Sequence, residues 1–266
     1  MFAIRFEHIK TVQHNIGNGI TEPKFGTTDD NTLVVIKTFN GPEGTLVLFN
    51  EYFCYRLAIL LDIPMPISGI CRIDSDTTIY NENVTSHEYG YGFYSTYLCK
   101  AVTLVDTIIP LMRNKEIFYK IILFDHIIFN ADRNPGNLLV QYYKSNVTLQ
   151  VIDHSHVFVN EAIWDSYCLN RAMEEKDYVS TRILEANSFL YSMFYRNMSI
   201  TEKNLNDLKV TFQNKITDEV LRKILVDIPK EWLPKDKDID ALISYILYRI
   251  NHIDDIITTI INYLKK

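Results

Sequence analysis

Residues 130–137 read Asn130-Ala-Asp-Arg-Asn-Pro-Gly-Asn137, and Asp153 of Val151-Ile-Asp-His-Ser155 follows 16 residues beyond Asn137. Before this block, residues 114–129 are apolar nearly all round, which predicts a buried helix. After it, 138–143 and 147–152 read as two strands joined by a turn at Lys144-Ser-Asn146. Such a hairpin brings Asp153 back beside the polar loop that carries Asp132 and Asn137. Phosphoryl transfer needs this kind of set: one carboxylate to orient an attacking hydroxyl and take its proton, and an amide oxygen with a second carboxylate to hold Mg²⁺ against a triphosphate. The alternative is structural, since Asp, Asn, Pro and Gly are also the commonest turn formers.

Working upstream, Lys37 stands near the end of Leu33-Val-Val-Ile-Lys-Thr-Phe39, and Glu51 follows 14 residues later. Glu51 falls on a helical pattern over 44–61, where Leu48, Tyr52, Tyr55 and Ile59 recur at three and four positions until Pro64 and Pro66 stop it. A strand lysine held by a helix glutamate is how kinases present an ammonium to the α and β phosphates. Taken singly, an edge lysine and a solvated glutamate are equally ordinary. Gly17 and Gly19, in Ile16-Gly-Asn-Gly-Ile20, lie about one hairpin before Lys37, where a phosphate-covering loop would sit; a plain β-turn accounts for them as well. Gly41-Pro-Glu-Gly44 reads as a connector into the helix. Tyr91-Gly-Phe-Tyr-Ser-Thr-Tyr-Leu-Cys99 is a crossing segment suited to gripping adenine with backbone groups, with Tyr97 and Leu98 as candidate contacts, or else an ordinary core strand.

The whole chain supports a folded protein. It has 266 residues, 47% of them hydrophobic and 23% charged, which excludes a disordered or collagen-like chain. The net charge of -6 argues against direct, sequence-independent nucleic-acid binding. Cys54, Cys71, Cys99 and Cys168 lie far apart with no C-x-x-C spacing, so they read as reduced thiols of a cytoplasmic protein. Arg5 and Glu7 interrupt the apolar start too early for a signal peptide, and no apolar run approaches the ~18 residues of a membrane span. No repeat or Gly/Ser-rich linker divides the chain. Turn signals between short β-branched and aromatic runs mark the first hundred residues as mainly antiparallel sheet. Beyond Thr201, amphipathic helices are expected at about 201–213, 217–227 and, as one long element, 238–264.

With Lys37, Glu51, the loop from Asp132 to Asn137 and Asp153 in this order, the chain resembles the HipA-like kinases. Within them it resembles the compact subfamily lacking the long HipA N-terminal region, in the phosphatidylinositol-kinase-like branch of the protein-kinase fold. The resemblance spans most of the chain: Val34-Val-Ile-Lys-Thr-Phe39, Asn50-Glu51, Leu57-Ala-Ile-Leu-Leu-Asp-Ile-Pro-Met-Pro66, Phe124-Asp-His-Ile-Ile-Phe-Asn-Ala-Asp-Arg133, Asn137-Leu-Leu139, Ile152-Asp-His-Ser155 and Ile228-Pro-Lys-Glu-Trp-Leu233. It implies an α+β, two-lobed fold, with a strand-rich N-lobe over 1–98 and a helix-rich C-lobe over 99–266. It implies Asp132 as catalytic aspartate, Asn137 and Asp153 as Mg²⁺ ligands, and Lys37 with its partner Glu51 on the phosphates of ATP. It also implies a protein substrate carrying a serine or threonine hydroxyl, and a separate antitoxin-like or regulatory protein as a further partner. Two departures stand out: Asn134 replaces a histidine frequent in the wider branch, and His-Ser rather than Phe-Gly follows Asp153.

Two other readings use the same residues. Asp125-His126, Asp132 and Asp153-His-Ser-His156 would suit a metal-dependent hydrolase, although Lys37 is then unexplained. A nucleotide-binding pseudokinase or interaction module would keep the site and lack the transfer. No basic patch adjoins an amphipathic stretch, which lowers a lipid acceptor and membrane attachment.

Overall fold

A computed structural model of the chain describes residues 5–17, 21–112, 115–143 and 146–265. The N-lobe consists of β1 (Phe6–Asn15), β2 (Lys24–Thr28), β3 (Leu33–Lys37), α1 (Leu46–Leu60), β4 (Ser68–Ile73), β5 (Thr78–Ile79) and β6 (Gly90–Thr96). The strands run in the order β2-β3-β6-β4-β1-β5, and a further pairing of β1 with β2 closes the sheet on itself. Pairing is antiparallel except where β1 meets β4 and β5. Closure depends on residues without side chains: a Cβ on Gly26 would lie 2.4 Å from the Thr11 carbonyl oxygen, and one on Gly69 2.4 Å from that of Arg5.

Alternation along β3 positions the site. Val34 and Ile36 enter a small core with Ile9, Val12, Cys71, Ile73, Val84 and Tyr94. Val35 and Lys37 therefore point to the opposite face, toward the second lobe. Helix α1 is apolar nearly all round and joins the larger core, which continues through the C-lobe helices and binds the lobes together. Its terminal carbonyls are met by C-lobe lysines: Lys215 Nζ donates to Leu60 O at 2.7 Å and Lys120 Nζ to Leu61 O at 3.1 Å, the favourable sign for a helix C-terminus.

After the crossing come β7 (Val102–Thr103), α2 (Glu116–Ile127), β8 (Leu138–Tyr143), β9 (Asn146–Val151), α3 (Ser166–Glu174), α4 (Arg182–Ala186), α5 (Ser188–Asn197), α6 (Glu202–Lys215), α7 (Asp218–Val226), α8 (Asp236–Asn251) and α9 (Ile253–Leu264). Strands β7, β8 and β9 form a small antiparallel sheet. The expected early helix, buried helix and hairpin are present within two residues at each end. Part of the expected turn, residues 144–145, lies outside the described residues. Thr201 caps α6 in a reciprocal box with Asn204, and Thr217 caps α7.

One expectation is corrected. Residues 238–264 form not one helix but two, broken at His252, whose ring stacks on Tyr178 at 4.0 Å and whose Nδ1 meets Asp255 at 2.9 Å. Ile250, Ile253 and Ile257 stay buried on both sides of the break, so the apolar period runs through it unaltered. The four cysteines are free thiols. Among the described residues no helix is long and apolar enough to cross a membrane.

Candidate active site

Lys37 ends β3 and Glu51 lies in the second turn of α1. The lysine Nζ donates to Glu51 Oε1 at 2.5 Å and to Asp153 Oδ1 at 2.9 Å, joining the two lobes through one ammonium. An ammonium has three donors, so one N–H remains for a ligand. Glu51 Oε2 accepts the His154 backbone N–H at 3.1 Å, which fixes the helix to the strand end that presents Asp153. Asp153 itself sits in the left-handed region at φ 61°, and Ser155 Oγ donates to its Oδ1 at 2.7 Å.

The two carboxylates titrate in opposite directions. Burial raises Glu51, with Lys37 opposing and Asp153 adding to the rise. Burial would raise Asp153 too, but the Lys37 ammonium and the Ser155 hydroxyl hold it well below the usual range. Lys37 is raised: burial favours the neutral amine, and the charges of Glu51 and Asp153 outweigh it.

The loop after α2 is built from side chains that bond their own backbone. Asn130 Oδ1 accepts from the Asp132 N–H at 2.9 Å, and Asn134 Oδ1 from the Gly136 N–H at 2.9 Å. Asn137 Nδ2 donates to the Asp132 carbonyl at 3.0 Å, which leaves its amide oxygen for another partner. The Ile152 N–H donates to the Asn137 carbonyl at 2.9 Å, tying the loop to the residue before Asp153. Asp132 is half exposed. Partial burial and the neighbouring Asp153 raise its carboxyl above the ordinary value, against the pull of His156, whose Nδ1 lies 4.0 Å from Oδ2.

Beneath this loop lies a buried polar network that residue spacing did not reveal. Arg133 donates to Asp125 Oδ1 through Nη2 at 2.9 Å, to the Ile152 carbonyl at 2.9 Å and to His154 Nε2 at 2.8 Å. Tyr191 donates to Asp125 Oδ2 at 3.0 Å, and Asn187 bonds both the Arg133 N–H and the Asn130 carbonyl. These contacts remove Asp125 and His154 from a metal-hydrolase set. His126 is likewise turned away, with Nδ1 on the Ile122 carbonyl at 2.8 Å. Among the described residues no group of three or more His, Cys, Asp or Glu side chains is placed to hold a metal.

A cavity of about 300 Å³ lies between the lobes, lined by Val35, Met65, Phe93, Leu139 and Ile152 together with the polar Lys37, Glu51 and Asp153. Thr96, Tyr97 and Leu98 also line it. The Tyr97 N–H is already bonded to the Leu33 carbonyl at 2.9 Å, and its ring packs edge-on to Phe25. Gly17, at φ 67°, follows Ile16 of the cavity wall, and nothing lies within 4 Å of where its Cβ would be. Gly19 lies outside the described residues. Asp132 faces a second cavity of about 470 Å³, shared with Glu43, His156, Glu161, Ile163 and Arg182. Asp132 and the cluster of Lys37, Glu51 and Asp153 thus open onto different spaces.

A family model described as HipA-like kinase matches residues 9–259. Among proteins of curated function none matches. Among solved structures, the Helicobacter pylori proinflammatory kinase CtkA superposes with a TM-score of 0.60 at 13% identity, covering 94% of this chain and 94% of that one. The Golgi casein kinase with Mn/ADP bound superposes with a TM-score of 0.54 at 13% identity, covering 95% of this chain and 73% of that chain. At such identities these likenesses speak for the fold, a two-lobed protein-kinase-like one.

Proposed function

The chain belongs to the HipA-like kinase family, and from that premise we propose that it transfers the γ-phosphate of ATP to a serine or threonine hydroxyl of a protein. One observation carries the reading: a single buried ammonium, on Lys37, is held by Glu51 of one lobe and Asp153 of the other at the wall of the interlobe cavity. Lys37 has one N–H left for a phosphate oxygen. The Leu98 N–H is the hinge donor next in line for adenine, because that of Tyr97 is already committed. We place the lobe boundary at residue 98.

The Asn137 amide oxygen and the Asp153 carboxylate are hard oxygen donors, which fits Mg²⁺. A divalent ion bound there would neutralise charge on the β and γ phosphates. Asp132, raised above an ordinary carboxyl and open to the second cavity, orients the acceptor hydroxyl and takes its proton. The carboxylates of Glu51 and Asp153 keep Lys37 charged throughout.

The test is incubation of the purified protein with Mg²⁺, γ-labelled ATP and a protein extract, followed by phosphoamino-acid analysis. Labelled phosphoserine or phosphothreonine is expected. Label confined to lipid or small molecules would overturn the acceptor, and tight ATP binding without any transfer would overturn the enzyme in favour of a binding module.

A further inference from the structure

The chain between α7 and α8 reads Asp227-Ile-Pro-Lys-Glu-Trp-Leu233, and it reaches from the helical lobe back to the N-lobe at two points. Asp227 Oδ2 meets Arg56 Nη1 at 2.5 Å, with both side chains largely buried. Arg56 lies on α1 five residues after Glu51 and also donates to the Tyr52 hydroxyl at 2.7 Å. Five residues on, the fully buried Trp232 donates its indole N–H to the Tyr91 carbonyl at 2.9 Å. Tyr91 is on β6, beyond the last β3 partner, which is Lys37 opposite Phe93. Its carbonyl is therefore free of that ladder and available to the indole.

These two elements build opposite parts of the nucleotide cavity. Helix α1 supplies Glu51; strand β6 supplies Phe93 and Ser95 and runs into Tyr97 and Leu98. The span between the anchors is stiff: Pro229 fixes one φ, and a 3₁₀ turn from Lys230 to Trp232 closes with Trp232 N–H on the Pro229 carbonyl at 2.9 Å. An apolar contact would suffice to cover α1. A buried ion pair adds directional registry, which apolar packing lacks.

We propose that residues 227–232 are a positioning element for ATP, with Asp227 setting the rotation of α1 that brings Glu51 to Lys37, and Trp232 setting the depth of β6 that places the hinge. This rests on the nucleotide reading above. Neither residue touches the ligand; both act through the elements they hold.

Asp227→Asn, Asp227→Glu and Trp232→Phe in the full chain test it, by calorimetric ATP titration, KM for ATP and for the acceptor, and thermal melting. Loss of one such bond should weaken ATP binding about three- to tenfold in Asp227→Asn and Trp232→Phe, with KM for the acceptor unchanged and Asp227→Glu restoring affinity. Folded variants with wild-type ATP affinity overturn the proposal, as does an equal rise in both KM values. If Trp232→Phe does not fold, the Asp227 pair decides alone. Failure of the wild-type protein to bind ATP would instead overturn the nucleotide reading beneath it.

Discussion

Replacing Lys37 by Met should make stability depend on pH in a way that identifies Glu51 as the group left behind. Lys37 is 8% exposed and Glu51 2%. Without the ammonium, the His154 N–H is the compensating donor left to Glu51 among the described residues. Removing one partner of a buried pair costs about 3–5 kcal/mol if the other stays charged. Glu51 can avoid that cost by taking a proton, and burial already pushes its carboxyl upward, with Lys37 the main opposing influence. In Lys37→Met the folded-state pKa therefore rises further above the unfolded value of about 4.3. The folded state then binds a proton that the unfolded state has released. Stability consequently falls as pH rises between those two values, by up to about 1.4 kcal/mol per pH unit, and levels off at about 3 kcal/mol below wild type once Glu51 is forced to ionise. Asp153 loses the same ammonium that holds it down, so the Glu51→Gln double variant is what assigns the slope to Glu51. Urea unfolding at pH 5, 6, 7 and 8 reads the gap directly. A gap that is the same at pH 5 and pH 8 refutes the reasoning, and so does a Lys37→Met, Glu51→Gln double variant that is no more stable at pH 8 than Lys37→Met alone.

Asp132→Asn should leave calorimetric ATP affinity nearly intact and cut turnover by roughly 10²–10⁴, whereas Asp153→Asn should lower Mg²⁺-dependent ATP affinity as well as rate. An undiminished rate in Asp132→Asn would return this loop to turn formation alone. Arg133→Met strands Asp125 in the interior and should cost about 3–5 kcal/mol in chemical unfolding, against little or nothing for Arg171→Met, whose pair with Glu175 is exposed. Equal costs would show that the Asp125 network does not hold the loop. Burial pushes His126 down to about 3, so it is neutral in the fold and charges on unfolding below its free value of about 6.5. Stability should thus be full above that pH and fall as pH drops below it, and His126→Leu should flatten the slope; an unchanged slope would put the acid sensitivity elsewhere.

What the sequence makes legible here is what lies close along the chain. Asp132, Asn137 and Asp153 sit within one loop and hairpin, and Lys37 and Glu51 within one strand and the next helix, so local rules of turn, period and spacing suffice to list them. The supports of those residues are invisible to such rules. Asn50 stands beside Glu51 and holds the Trp164 indole at 3.0 Å and the Ser155 carbonyl at 2.7 Å, partners more than a hundred residues away. Arg133 draws together α2, the end of β9 and the turn before α5. Helices α3 and α5 are hard to read because Ser, Asn and Tyr dilute the apolar stripe, and α4 because its five residues are too few to show a period. The break at His252 escapes notice because the stripe there is too regular.

The same division separates chemistry from its control. A carboxylate that must meet a phosphate, a metal or a hydroxyl needs a particular atom at a short loop, and that requirement writes itself into a compact motif. Holding α1 against the C-lobe needs only that some donor meet some acceptor. Here that task is spread over Asn50 with Trp164, Arg56 with Asp227, and Lys120 and Lys215 on the last carbonyls. With several points of attachment along one helix, losing the Asp227 bond should turn α1 enough to weaken ATP binding, and only the combined loss would swing Glu51 right away from Lys37. A kinase built this way keeps its Lys37 and Glu51 contact as a property of the fold, so regulation by release of α1 would require several of these bonds to break together.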